Sequence, residues 1–192
     1  MSCNDERHKW HDSNCVADVI KFIDELQDSI TENCPTGCET PFLGANCNAQ
    51  LANTRPFALF TKKGELFIPA SCFSIPTTTD VGLHVPLPSP FLRVESVDCH
   101  CAVLRSLVPD VASLSEADRD LLASSIVPAL GTGDLIDVVS RLLICQYSNG
   151  VTRPGGDSVL QFCLKASQFC ITVDLDCFCA VQCLRDAHVR GV

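Results

Sequence analysis

Apolar residues recur at helical spacing near the start of the chain. Over residues 15–30 they follow one another at steps of three and four, with charged residues on the opposite side. This period is that of an amphipathic α-helix, and Ser13 or Asn14 is placed to cap its first turn. The preceding polar residues, 1–14, are predicted to form a mobile arm. The helix is expected to end before Cys34, where Pro and Gly favour a turn.

Alternation of apolar and polar residues predicts strands in much of the remaining chain. The predicted strands are 56–61 and 65–68, joined as a hairpin by a Lys-Gly turn, and then 91–96, 99–107 and 170–184. The last run is the clearest, but it is too long for one straight strand and is expected to break near Asp176. The proline-rich residues 76–90 are predicted to form a loop.

The segment 107–168 has a different character. Ser115 and the acidic residues after it begin a predicted helix that ends near Pro128. The apolar run 135–143 predicts a second helix, with a buried strand as the alternative, and 149–157 predicts a loop or hairpin tip. The predicted fold class is therefore mainly β: a single antiparallel sheet or sandwich-like domain with an N-terminal amphipathic helix and a partly helical insertion.

Length and charge narrow the class of protein. The 192 residues suit one domain, and 46% of them are hydrophobic, which is enough to form a core. The net charge of −9 argues against nucleic acid or an anionic membrane as the partner. No run approaches the roughly 20 apolar residues of a membrane span, and the N-terminus lacks the apolar stretch of a secretory signal. We therefore expect synthesis in a reducing cytosol.

Fourteen cysteines are the unusual feature of this composition. In a reducing compartment cysteines more often bind metal or perform chemistry than form disulfides. No C-x-x-C spacing occurs, which argues against a thioredoxin-type pair, a zinc ribbon or a ferredoxin-like cluster. Three roles for the cysteines stay open. They could bind zinc, through other spacings or through Cys3, His8, His11 and Cys15; they could be catalytic thiols; or they could be oxidised later.

Strand geometry limits what the cysteines can do. If Cys177 and Cys179 lie on one extended strand, their Cα atoms are about 6.6–6.8 Å apart with parallel side chains, too far for a mutual disulfide. Each then bonds to another strand or molecule, binds a metal, or stays a buried thiol. A buried thiol is the plain interpretation for Cys145 and Cys183, but it suits terminal positions such as Cys3 poorly.

Motifs that carry catalysis are missing from the sequence. It contains no phosphate loop, no H-E-x-x-H and no G-x-S-x-G. Asp174 and Asp176 are expected on one solvated strand face, and His100 on the face opposite its cysteine neighbours. We therefore expect no enzyme activity, no catalytic residue, no cofactor and no bound metal.

Several segments resemble a known family of cysteine-rich proteins. The segments are Met1-Ser2-Cys3, the helix 15–27, Cys34-Pro-Thr-Gly-Cys38 with 41–44, and then 54–57, 91–97, 101–105 and 170–185. In this order they are similar to the CotY/CotZ/ExsY family of spore coat proteins of Bacillus-type endospores.

The resemblance implies a structural protein of the outermost spore layers, the exosporium basal layer or the crust. Members assemble with copies of themselves, in a hexameric lattice, and with other coat proteins, forming two-dimensional arrays hardened by disulfides. Synthesis in the mother-cell cytoplasm without a signal peptide, with oxidation after that cell lyses, reconciles the cysteines with their compartment. The alternative is a cysteine-rich zinc-binding module, or an adaptor anchoring another spore surface component.

The resemblance also defines a coat-protein domain, residues 15–192, in which 107–168 departs from the family pattern as a variable insertion. The cysteines that match the family are Cys3, Cys15, Cys34, Cys38, Cys101, Cys170, Cys177, Cys179 and Cys183. We expect intermolecular disulfides from the cysteines near the mobile N-terminus, which are Cys3, Cys15, Cys34 and Cys38. We expect intramolecular disulfides from Cys99, Cys101, Cys177, Cys179 and Cys183.

Overall fold

A computed structural model describes residues 14–32, 52–75, 87–126, 135–152 and 159–192. The helices are α1 (Cys15–Glu32), α2 (Glu116–Ile126) and α3 (Leu135–Asn149). The strands are β1 (Phe57–Thr61), β2 (Cys72–Phe73), β3 (Leu87–Pro88), β4 (Phe91–Asp98), β5 (Cys101–Pro109), β6 (Val151–Thr152), β7 (Val159–Leu160), β8 (Leu164–Asp174) and β9 (Phe178–Cys183).

Five strands form the main sheet, in the order β8-β5-β4-β1-β9, and every neighbouring pair is antiparallel. The edge strands β8 and β9 are separated in sequence by one short 3-10 turn, Leu175–Cys177. A flat sheet of five strands would place its edges about 19 Å apart, whereas the chain from Asp174 to Phe178 reaches at most about 15 Å. The sheet therefore curls, which brings its two edges together at this turn.

Helix α1 covers one face of the sheet, where it packs against β4, β9 and the turn 175–177. Its buried stripe includes Val16, Ile20 and Ile23, in one core cluster with Phe57 of β1. Gln27 is buried on the same side, and its Nε2 donates to the Val94 carbonyl at 3.1 Å. The predicted amphipathic helix is confirmed, and Asn14 caps it by accepting hydrogen bonds from the first turn.

Helices α2 and α3 and the short hairpins β2–β3 and β6–β7 lie on the other side. The core there includes three aromatic rings, Phe91, Tyr147 and Phe162, with centroids 5.3 to 6.1 Å apart. Both predicted helices of the segment are present, so the alternative of a strand at 135–143 is wrong. Ser115 caps α2 by accepting from the Asp118 amide. The mainly β fold class is confirmed.

Three local predictions differ from the structure in detail. The predicted second arm of the hairpin, 65–68, contributes one isolated bridge, between Phe60 and Leu66. The strand predicted from residue 99 begins at Cys101, because Cys99 lies in the β4–β5 turn with a left-handed φ of 50°. The run 170–184 breaks at the turn 175–177, as predicted, although β8 begins earlier, at Leu164.

No helix in the described ranges has the length and hydropathy of a membrane span. The predicted arm 1–14, except Asn14, lies outside the described residues. So do the Cys34–Cys38 turn and most of the proline-rich loop.

Candidate functional site

The described residues contain ten cysteines, and nine of them are free and exposed to solvent. These nine are Cys15, Cys72, Cys101, Cys145, Cys163, Cys170, Cys177, Cys179 and Cys183. The tenth, Cys99, is disulfide-bonded. The interpretation of Cys145 and Cys183 as buried thiols is wrong. Cys145 lies on the solvent side of α3 next to buried Ile144, and Cys183 lies on an edge strand.

The turn 175–177 is fixed to three other parts of the fold. The Leu175 amide donates to the His100 carbonyl at 2.7 Å, and the Lys62 amide donates to the Cys177 carbonyl at 3.2 Å. Leu175 itself is fully buried. Asp174 caps the turn by accepting a hydrogen bond from the Asp176 amide. The prediction that the two aspartates share one strand face is therefore wrong.

Helix α1 begins at this same turn. The Asn14 side-chain amide donates to Asp176 Oδ1 at 2.9 Å, and His100 Nδ1 lies 3.5 Å from Asp176 Oδ2. His100 is therefore in the β4–β5 turn rather than on a strand face. Four cysteines are sequence neighbours of these contacting residues: Cys15, Cys99, Cys101 and Cys177.

Cys177 belongs to the 3-10 turn and Cys179 to β9. The condition that both lie on one extended strand is therefore not met. Cys179 Sγ donates to the Thr61 carbonyl at 3.0 Å, across to β1. Cys183 lies further along the same strand, opposite Phe57.

Cys170 lies on the other edge strand, opposite Arg105. The Arg105 guanidinium bonds Glu95 at 2.6 Å and donates to the Ser167 carbonyl at 3.1 Å. The hydrogen bond to Glu95 raises the pKa of Arg105, which keeps its charge beside the thiol. Cys170 is among the cysteines that match the family, but its spacing in the sequence does not indicate the cross-strand neighbour Arg105.

Cys163 lines a cavity of about 560 Å³ between the end of β5, α3 and the C-terminal segment. Its carbonyl accepts from the amide of Asp110, whose buried carboxylate lies 3.5 Å from the Arg190 guanidinium. Arg185 and Tyr147 line the same cavity, with the guanidinium 5.2 Å from the ring centroid.

Metal ligands do not cluster in the described ranges: no group there of three or more His, Cys, Asp or Glu side chains could hold an ion.

Three of the predicted intermolecular cysteines, Cys3, Cys34 and Cys38, lie outside those ranges, and Cys15 is exposed at the start of α1. Among the predicted intramolecular set, Cys101, Cys177, Cys179 and Cys183 are free thiols in this single chain. Both sets of pairings stay predictions.

Most of the chain matches a known protein family. The family model for Spore coat protein Z matches residues 1–128 and 146–186. Spore coat protein Z of Bacillus subtilis (strain 168) is 30% identical to the chain over 172 residues, covering 90% of this chain and 89% of that protein. No solved structure matches the chain. The match extends over most of the chain, including the cysteine-bearing strands, and the chain belongs to the spore coat protein Z family.

Proposed function

We propose that this protein is a structural, self-assembling component of the endospore surface whose copies are cross-linked by disulfides after assembly. The observation that carries the proposal is that all nine free cysteines of the described residues are exposed. Free cysteine is normally among the most buried residue types. Thiols placed on helices, strands and turns at the surface are available to other molecules, and family membership supports a role in the spore coat.

Assembly and cross-linking are separate steps in this proposal. Repeated non-covalent contacts between copies, in a hexameric lattice and with other coat proteins, set the geometry. Two facing thiols then lose two electrons and two protons to dissolved O2, which gives one disulfide and H2O2. An intermolecular disulfide makes dissociation kinetically forbidden, which suits a layer that must outlast the cell that made it.

The proposed location is the exosporium basal layer or the crust. Synthesis in the mother-cell cytoplasm keeps the thiols reduced until the cell lyses. No catalytic role is included. The alternative of a zinc-binding module gains no support from the described residues, where no suitable ligand cluster exists.

The test compares assembly of purified full-length protein with and without oxidation. Under reducing conditions we expect ordered sheets or rings by electron microscopy. After exposure to air, non-reducing gels should show ladders that collapse when reductant is added. Protein that stays monomeric with unreacted thiols under both conditions would falsify the proposal, and near-stoichiometric zinc in the reduced protein would favour the binding module.

A further inference from the structure

The cavity that Cys163 lines, of about 560 Å³, has the size of a small-molecule site. Phe162 and Leu164, the two neighbours of Cys163 in the chain, are buried and give the cavity an apolar wall. Cys163 itself is exposed. Its thiol is therefore accessible to a molecule that enters the cavity from solution.

Arg185 supplies this cavity with a guanidinium that has no carboxylate partner among the described residues. Its Cζ lies 5.2 Å from the centroid of the Tyr147 ring, and its Nη2 donates to the Tyr147 carbonyl at 3.1 Å. A guanidinium has five N–H donors, so most of those of Arg185 stay free for a ligand. The other arginine in the cavity wall, Arg190, differs because it lies 3.5 Å from the Asp110 carboxylate.

The charge around the cavity is positive, although the chain as a whole is acidic. Two carboxylates line the cavity, those of Asp110 and Asp186. Four cations either line it or pair with those carboxylates: Arg55, Lys165, Arg185 and Arg190. Two positive charges are therefore in excess here, on a chain with a net charge of −9. Because a cleft with an excess of one sign of charge concentrates ions of the opposite sign, the cavity favours an anion.

The thiol and the free guanidinium lie near the same hydroxyl group, that of Tyr147. Burial is the largest influence on the pKa of Tyr147 and raises it; Arg185 lowers this pKa, and the Cys163 thiol raises it. Both groups are therefore within electrostatic range of one phenol oxygen. A small molecule bonded to Cys163 can place a negative group against Arg185.

We propose that this cavity is a modification site, at which Cys163 forms a mixed disulfide with a small thiol that carries a carboxylate. The Cys163 thiolate attacks one sulfur of the corresponding small disulfide, RS–SR. The bond between its two sulfurs breaks, the bond from Cys163 to SR forms, and the leaving RS⁻ takes up the proton that Cys163 released. The carboxylate of the attached R group accepts hydrogen bonds from the free donors of Arg185.

The concave shape favours a small thiol over a cysteine of a neighbouring copy. A disulfide requires Cα atoms within about 7 Å of each other, so a second chain would have to bring its backbone into the cavity beside the segment 185–190. A small disulfide enters without that requirement. The inference goes beyond the proposed cross-linking, because it removes Cys163 from the thiols that join copies.

The test compares two small disulfides of opposite charge on reduced, full-length protein at neutral pH. Oxidised glutathione is an anion and cystamine is a cation, and peptide mass spectrometry after acid quenching gives the initial rate at each cysteine. We expect the ratio of the glutathione rate to the cystamine rate to be about tenfold higher at Cys163 than at Cys145, which is exposed on α3 and does not line the cavity. Equal ratios at the two cysteines would overturn the inference.

Substitutions of Arg185 test whether its charge is the cause. Arg185→Gln should lower the ratio at Cys163 to about that at Cys145, whereas Arg185→Lys keeps the charge and should retain most of the preference. The matched control is Arg141→Gln, at an exposed arginine of α3, which should leave the ratio unchanged. A preference that survives Arg185→Gln in full would contradict the assigned role of the guanidinium.

A protection experiment on wild-type protein needs no folded variant. S-methylglutathione carries the same carboxylates as glutathione but has no thiol and forms no disulfide. It should slow the alkylation of Cys163 by uncharged iodoacetamide severalfold, with saturation, and leave the rate at Cys145 unchanged. Alkylation of Cys163 at the same rate with and without S-methylglutathione would mean that the cavity does not bind the anion.

Cys163→Ser separates this inference from the proposed function. Oxidised arrays of the variant should give the same non-reducing ladders as wild-type protein. Loss of the ladders in the variant would make Cys163 a cross-linking thiol, which overturns the inference and leaves self-assembly intact. If wild-type protein neither assembles nor cross-links, the proposed function fails, while the rate ratio at Cys163 still decides the inference.

Discussion

Arg55 and Asp186 form a bidentate ion pair, with Nε 2.7 Å from Oδ1 and Nη2 2.9 Å from Oδ2. Both side chains are partly shielded from solvent, and the hydrogen bonding of Arg55 to the Asp186 carboxylate raises the pKa of Arg55. Beside the pair, Thr54 and Ala187 exchange backbone hydrogen bonds. These contacts fix the segment after β9 to the segment before β1 and so hold the end of β9 in place.

Arg55→Met is expected to lower the free energy of unfolding by about 1–3 kcal/mol, because it leaves a half-buried carboxylate unpaired. Urea unfolding in reductant measures the change. The matched control is Arg141→Met, which breaks the exposed Arg141–Asp137 pair on α3. That change should cost no more than about 0.5 kcal/mol, and equal costs for the two variants would contradict the prediction.

Tyr147 is the one tyrosine of the sequence, so its ionisation can be followed by the ultraviolet absorbance of phenolate. Burial raises its pKa from 10.0 to about 12, and its hydroxyl donates to the Arg185 carbonyl at 3.1 Å. The unfolded phenol loses its proton first as pH rises, so the folded state loses stability between pH 10.0 and about 12. The absorbance midpoint should fall to about 10 in concentrated urea.

Tyr147→Phe is the control for this titration. The substitution removes the phenol hydroxyl and should abolish the fall in stability over that pH window. At neutral pH it should lower the free energy of unfolding by about 1 kcal/mol, because the hydrogen bond to the Arg185 carbonyl is lost. A native midpoint near that of the unfolded chain would show that the ring is solvated.

Local sequence signals predicted the elements well. The three- and four-residue period of α1 requires no tertiary information, and Asn14 caps it through its own side chain. The break near Asp176 was also predictable, because its cause is local: Asp174 accepts from the Asp176 amide and closes a short turn.

Tertiary placement was not predictable in the same way. Nothing in the sequence of the run 170–184 indicates that its two halves become opposite edges of one sheet. The exposure of Cys183 follows from that order, because an edge strand has a neighbour on one side only. Hydrophobic period alone cannot separate such a thiol from a core one, since cysteine has the apolar character of a buried residue.

Asp24→Asn is expected to stabilise the protein at neutral pH. Burial, followed by repulsion from Asp28, raises the pKa of Asp24 above 3.8, so the ionised carboxylate is disfavoured in the folded state. Protonated Asp24 contributes its full stability below the pKa that the carboxyl has in the unfolded chain. This contribution is lost as pH rises through the pKa of Asp24 in the folded state. The gain from Asp24→Asn should therefore appear at neutral pH and vanish below pH 3.8.

The comparison for that variant is Asp18→Asn, in the exposed first turn of α1. There the charge interacts favourably with the helix N-terminus, so its removal should lower stability by a few tenths of a kcal/mol at neutral pH. Unfolding curves at neutral and acidic pH measure both variants. A gain from Asp24→Asn that persists in acid would point to packing rather than charge.

Cys145→Ser and Cys183→Ser test the exposed placement of these thiols. Because both side chains face solvent, serine leaves no cavity and buries no hydroxyl, so each change should alter the free energy of unfolding by less than about 0.5 kcal/mol in reductant. Leu143→Ala, at a fully buried position of the same helix as Cys145, should instead cost about 2–5 kcal/mol. A cost for Cys145→Ser approaching that of Leu143→Ala would mean that the thiol packs in the core, and the main support for surface cross-linking would be lost.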